Sequence, residues 1–396
     1  MNPSILSSIT QLRHELHQNP DLSGEEGPTR DRILSFLSHH GLTTTTDGSI
    51  GIVPNLGGKG IGIIFDSLVP GPRVLMRAEL DGLPIQDCSG LPWQSSNPLV
   101  SHSCGHDGHA SLVAGLALHW FKNPPSKGAG LLVFQPAEET GQGAQAILQD
   151  PQWSHFQPTH GFALHGIPGF PLGTVLSKPG TFACGSLGLD ITFVGCQCHA
   201  AYPDQGINPL VPAGWFLNQV NMLNGQLHNQ GDTQTFATPV FVGAGTPGFG
   251  TTPDACNIQV TVRSPDQPKL LGLRDILHEK AQEAWSQDPN PGASEGKVLE
   301  SEQDQFPATV NDLTLFNLVV KVSQNLSYNF QELDQPFPWS EDFGHFAAQF
   351  PCCYLGLGAG DKSPPLHSGQ YDFPDELLMK GLELIISLVN KTLEDL

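Results

Sequence analysis

The chain has few positive charges, no long apolar run and no C-x-x-C pair, and each shortage removes a class of function. Of its 396 residues, 18 are lysine or arginine against 39 aspartate or glutamate, for a net charge of −21. A surface so acidic repels nucleic-acid phosphates and anionic lipids, so neither nucleic acid nor a membrane is expected as a partner. No apolar stretch approaches the roughly 20 residues that span a bilayer. The opening MNPSILSSITQLRHELHQ lacks a basic segment followed by an apolar core, and a cytoplasmic protein is expected. Eight cysteines (Cys88, Cys104, Cys184, Cys196, Cys198, Cys256, Cys352 and Cys353) are scattered without C-x-x-C spacing, which favours reduced thiols over a disulfide framework. No GxGxxG follows a strand, so a dinucleotide fingerprint is missing. His14-Glu15-Leu16-His17 is one residue short of HExxH, and Gly292–Gly296 matches G-x-S-x-G only inside a Pro- and Asn-rich loop. Metalloprotease-helix and serine-nucleophile readings are set aside.

What remains suits a globular protein long enough for two ordinary domains; hydrophobic residues make up 38% and mean hydropathy is −0.15. Apolar periodicity predicts a helix over 28–40, strands at 61–66 and 73–79, a helix over 107–121 with Asp107 near its N-cap, and buried strands at 130–135 and 160–165. This alternation implies an α/β domain with a mixed, mostly parallel sheet covered by helices. Near residue 180 the pattern changes. Strands at 187–194, 236–243, 256–263 and weakly at 297–301, with helices over 208–227 and 268–286, follow the βαββαβ order of a ferredoxin-like unit. Helices over 310–325 and 373–393 and a strand at 352–357 then return to the first pattern. The expected division is a discontinuous catalytic domain, 1–180 and 296–396, with an α+β domain inserted at 181–295.

The stretch SHSCGHDGHASLVAG puts a cysteine, three histidines and an aspartate just ahead of an apolar helix. Redox chemistry and a metal site both draw on such side chains. Ligands of open α/β sheets gather beyond the carboxyl ends of the strands. Glu79 and Asp81 follow one strand, Glu138 and Glu139 follow another, His165 closes a third, and Cys104 and His106 lie in the loop before a helix. Any one of these alone is an ordinary structural residue, and Glu138-Glu139 alone is an ordinary charged turn. Their coincidence at one sheet edge favours a metal. Two adjacent carboxylates also suit metal-assisted hydrolysis, in which one binds the ion and the other takes a proton from water.

The segments RHELHQNPDLSGEE, RAELDGLPIQ, SHSCGHDGHA, FQPAEETGQGA, ALHGIPGFPLG, GCQCHAAYPDQGINPL, SEDF and LHSGQYDF occur in this order. Together they resemble the amidohydrolase branch of the aminoacylase/carboxypeptidase G superfamily, which includes hippurate hydrolase and indole-acetyl amino acid hydrolases. The resemblance implies metal-dependent hydrolysis of an amide in N-acyl amino acids or similar conjugates. It implies two divalent ions, zinc or manganese with cobalt tolerated, held by Cys104, His106, Glu139, His165 and His367. Glu138 would be the general base and Asp81 a brace for the site. Asp107 and His109 would brace it too, unless His109 is simply a buried, hydrogen-bonded histidine. His199, on the inserted domain, would polarise the scissile carbonyl, and that domain would act as a lid and pair subunits into a homodimer. A dipeptidase or carboxypeptidase of the same superfamily is the alternative enzyme. A non-catalytic binding protein of the same fold is the alternative outside enzymes, and an intact Glu138 argues against it.

Three positions depart from the family pattern. Cys198 stands where glycine usually precedes the lid histidine, giving Cys196-Gln197-Cys198-His199, a cluster that could itself bind a stray metal. Gly250, in FGTTPD, stands where relatives carry a substrate-holding asparagine. Glu79 stands where aspartate is frequent. With that asparagine lost, Arg263 and Thr252 (or Thr251) are the expected substrate-binding residues on the inserted domain, unless the substrate differs, and a weaker dependence on the substrate carboxylate is expected. For Arg263 an exposed strand-end arginine is the plainer alternative.

Overall fold

A computed structural model describes residues 3–288 and 290–395. In chain order its strands are β1 (Ile50–Leu56), β2 (Gly60–Asp66), β3 (Arg73–Glu79), β4 (Ala129–Gln135), β5 (His160–Pro168), β6 (Val175–Ser177) and β7 (Gly180–Ala183). They continue as β8 (Gly185–Val194), β9 (Phe236–Ala244), β10 (Ala255–Ser264), β11 (Lys297–Phe306), β12 (Thr309–Asn311), β13 (Phe330–Glu332) and β14 (Cys352–Gly360). The chain divides into two units. The first holds the chain up to Phe182, Thr309–Gln335 and the chain from Glu341 onward; the second holds Ala183–Ala308 and Pro336–Ser340. The second unit therefore runs past the expected limit at 295, because β11 pairs along β8 and belongs to its sheet.

The first unit is built on an eight-stranded sheet in the order β1-β2-β4-β3-β5-β14-β6-β13. Its middle, from β4 to β14, is parallel, while β1, β2 and the β14–β6 junction are antiparallel. The parallel strands read as continuous apolar runs because both faces are covered; every residue of β4 is buried. The helix Gly27–His39 has Pro28 in its first turn and stops at Gly41, whose φ of +85° only glycine adopts cheaply. The helix His106–Lys122 is buried along most of its length, packed against β3 and the helices Pro3–Gln18 and Glu376–Asp395. The helix Leu313–Asn325 starts three residues later than expected because Asp312 caps it, accepting from the Thr314 and Leu315 amides.

The second unit is an antiparallel four-stranded sheet ordered β11-β8-β10-β9. Strands in the chain order β8, β9, β10, β11 with that spatial order, and helices Leu210–Asn229 and Gln267–Glu283 between them, make the ferredoxin-like unit. Burial alternates along β10, and its inner residues Cys256, Ile258, Val260 and Val262 pack with Phe216, Val220, Leu273 and Leu277 of the helices. β9 is an edge strand whose Val240, Phe241 and Val242 are exposed. Among the described residues no helix is long and apolar enough to cross a membrane.

Candidate metal centre

A turn in front of the His106–Lys122 helix supplies the first two side chains. Gly105, at φ +88°, is its N-cap, and Asp107 lies near it, in the first turn. The His106 Nδ1–H donates to the backbone oxygen of Asp81 at 2.8 Å, with Asp81 Oδ1 at 3.3 Å. That fixes the tautomer and leaves Nε2 as a lone pair in the site. His165 repeats the device: its Nδ1–H donates to the Gly166 oxygen at 2.9 Å, and its Nε2 lies 3.4 Å from Cys104 Sγ. It sits inside β5, paired with Gly356 of β14, rather than at the strand end. Asp81 accepts from Ser23 Oγ and from the Glu139 amide, so it touches both the His106 ring and the Glu139 turn.

The remaining ligand candidates arrive from two turns. Glu138 and Glu139 follow β4, and His367, half-exposed, lies in a loop with φ at +60° and its amide bonded to the Ser103 oxygen. Ligating atoms fall into overlapping sets within 4.8 Å: Cys104, His106 and His165; Cys104, Glu139 and His367; His106, Glu138 and Glu139. All five expected ligands and the expected base thus converge, with Cys104 common to two sets.

The chemistry of this cluster fits cations. Buried His106 Nε2 and Glu139 Oε1 have no hydrogen-bond partner and face each other at 3.9 Å, too far for a hydrogen bond and near enough for one cation to touch both. Buried Arg77 pairs with Glu79, Glu341 and Asp342, and Asp81, Glu138 and Glu139 add further buried or half-buried carboxylates around the same cluster. Groups in such a negative field hold protons tightly. Burial, with Glu341, Glu139 and Asp342 beside it, raises the Glu138 carboxyl well above the usual range; burial and Asp81 bring Glu139 to about 7. Burial and the same carboxylates push the Cys104 thiol well up. Burial alone would lower His106, but Asp81 and Glu79 carry it to about 10. A divalent ion relieves this field and takes the protons' place.

Other expectations fare differently. His109 is not a ligand candidate, although Glu79, His106 and His109 form a further set. Its Nδ1 lies 2.8 Å from Glu79 Oε2, and its Nε2 accepts from the Gly166 amide at 3.0 Å, so both ring nitrogens are engaged. Asp107 turns from the cluster to His17 Nδ1 at 2.8 Å and Arg13 at 3.7 Å, in a second buried ionic group with Asp87 and Asp372. On the second unit, His199 is exposed and its backbone pairs with Thr251. Thr252 Oγ1 accepts from the Cys198 amide at 2.9 Å, and the Thr252 amide donates back to the Cys198 oxygen at 2.9 Å. That hydroxyl thus ties Thr252 to the loop that carries His199. Arg263 donates Nη1 to the Pro338 oxygen and Ser340 Oγ. Among the described residues Cys196, Cys198 and His199 form no converging metal set. The sequence reading assigns no role to Arg77, Glu341 or Asp342; the available signal is an arginine between the apolar Met76 and Ala78 of the strand RVLMRAE.

The sequence model of peptidase family M20/M25/M40 matches residues 75–391. The chain belongs to this family. Among curated family relatives, it is 29% identical to an N-acetyldiaminopimelate deacetylase of Leuconostoc citreum, over 98% of this chain and 97% of the other. It is 26% identical to a hippurate hydrolase of Campylobacter jejuni over 99% of both chains, and 28% identical to an IAA-amino acid hydrolase of Arabidopsis thaliana over 97% and 86%. A solved protein from methicillin-resistant Staphylococcus aureus, described as a putative aminohydrolase, superposes with a TM-score of 0.84 at 23% identity, covering 98% and 97%. A Bacillus subtilis protein described as a dinuclear metal-binding peptidase of family M20 superposes with a TM-score of 0.80 at 22% identity, covering both chains fully. The family fold is thereby established for this member.

Proposed function

We propose that this M20-family enzyme hydrolyses the amide bond of N-acyl amino acids or similar conjugates, using two divalent cations held by Cys104, His106, Glu139, His165 and His367. One observation carries the reading: those five side chains and Glu138 form overlapping sets within 4.8 Å, in a buried field short of positive charge. The names of the relatives, a deacetylase and two hydrolases of acylated amino acids, support the substrate class. Thiolate, imidazole and carboxylate together suit zinc, and manganese or cobalt are also accommodated. Such ions supply Lewis acidity towards a water and the scissile carbonyl. Glu138 takes the proton of the attacking water and returns it to the leaving amine. Asp81 holds His106 and the Glu139 turn in place, and His199 is assigned to the carbonyl oxygen.

The test pairs two conservative changes. Glu138→Gln is expected to abolish turnover while metal content stays near wild type; Glu139→Gln is expected to lose metal. Equal metal loss in both variants, by elemental analysis, would contradict the division of roles. We further infer that the second unit acts as a lid and pairs two copies, its exposed β9 edge offering unpaired backbone and apolar side chains. The free state of all eight cysteines supports a reducing, cytoplasmic setting.

A further inference from the structure

One guanidinium ties together the segments that carry the ligands. Arg77, fully buried in β3, donates Nε to Gln135 Oε1 at 2.9 Å and Nη1 to Glu79. Its Nη2 donates to Glu341 Oε1 at 2.8 Å and Asp342 Oδ1 at 2.7 Å. From Glu79 the contacts run on through His109 Nδ1 at 2.8 Å, and from His109 Nε2 to the amide of Gly166 at 3.0 Å. Gly166 follows His165, whose ring meets that of His109 edge-on at 4.5 Å. In the other direction Asp342 accepts from Gln135 Nε2 at 2.7 Å and from the Ala144 amide at 2.9 Å. Those two contacts bracket the turn that bears Glu138 and Glu139, and the Glu341 and Asp342 carboxylates lie within 4.8 Å of Glu138.

An arginine buried among three carboxylates is a poor device for stability alone. Apolar residues of the same volume serve a core as well or better. Here each arm of the network ends on a backbone N–H beside a ligand-bearing residue or turn, which is the arrangement that orients ligands. We infer that Arg77 is a positioning residue for the whole centre, acting through two separable arms: Glu79–His109 sets the His165 side, and Gln135–Asp342 sets the Glu138–Glu139 turn. This rests on the two-cation reading above. It also explains Glu79. A carboxylate with one more methylene than aspartate spans from Arg77 to His109.

The experiment uses the full-length enzyme and measures stepwise zinc affinities by competition with a chromophoric chelator, alongside Tm and steady-state kinetics. His109→Phe is expected to weaken one of the two ions by about tenfold or more and leave the other nearly unchanged. Asp342→Asn is expected to weaken the other ion and to lower kcat more than it changes KM. Arg77→Gln is expected to weaken both, with Arg77→Lys recovering part of the loss; if Arg77→Gln does not fold, the two arm variants still decide. Arm variants that weaken both ions equally, in step with a fall in Tm, overturn the inference and leave a purely structural network. Unchanged affinities in both arm variants overturn it as well. A wild-type stoichiometry below two ions sinks the two-cation reading and this inference together, so the two failures are told apart by the wild-type titration.

Discussion

At the scale of single residues, the chain's own departures from its family are the most informative. Gly250 lies opposite Ala200, whose amide donates to the Gly250 oxygen at 3.0 Å, one residue from His199. A Cβ there would meet nothing within 4 Å, and the φ is outside the left-handed region. Gly250→Asn is therefore expected to fold with an unchanged Tm. It is also expected to raise the preference for free-acid over carboxamide substrates by about tenfold or more, the scale of one hydrogen bond to a charged acceptor, about 1.5–3 kcal/mol. Matched steady-state kinetics on the two substrates checks this, and an unaltered ratio would show that the position does not read the carboxylate. His17 makes a different kind of statement. Burial opposes its protonation, but Asp107 and Asp87 on either side raise it from 6.5 to about 10. Between those values the folded chain holds a proton that the unfolded chain has released. The His17 contribution is thus full below pH ~6.5 and lost as pH rises towards about 10, on the order of a few kcal/mol. Tm should fall over that window, and His17→Gln should flatten the slope.

Elements explain why the metal motif is spelled as it is. In Cys104-Gly105-His106-Asp107-Gly108-His109 the first glycine supplies the positive φ that starts the helix, and the second supplies space. A Cβ on Gly108 would lie 2.3 Å from the Phe373 ring. Gly108→Ala is expected to cost about 1–3 kcal/mol, measured by denaturant unfolding, because a buried ring must shift to admit it. The same elements show what was legible. β3 appears at its expected limits, and the His106–Lys122 helix differs by one residue at each end, because VLM and LVAGLAL give each a strong apolar centre. β1 was not anticipated, since IGIVPNL contains a proline and a glycine and forms an edge strand. The three-residue β6 and β13 carry too few side chains for a period to show. The ligands were legible because each sits in a dense local motif. The network around Arg77 was not, because its partner Asp342 is 265 positions away in the chain and only folding brings the two together.

For the whole molecule, the division into two units sets both assembly and synthesis. The exposed Val240, Phe241 and Val242 on the β9 edge are the surface on which a second copy is expected to pair. Sedimentation of the wild type should give a dimer, and Val240→Lys with Phe241→Lys should give a monomer of unchanged metal content. A wild type that sediments as a monomer at micromolar concentration would rule out this edge as a stable interface. The sheet order of the first unit has an effect before the protein is complete. β14 lies between β5 and β6, yet it leaves the ribosome after the whole of Ala183–Ala308. The second unit, nearly contiguous, can collapse as soon as it emerges. The first must wait, with the facing edges of β5 and β6 bare, for a strand made almost two hundred residues after β5. A nascent chain in that interval presents two apolar strand edges to its neighbours, so its yield should depend on slow translation, low temperature or a chaperone that shields strand edges until residue 360 is free.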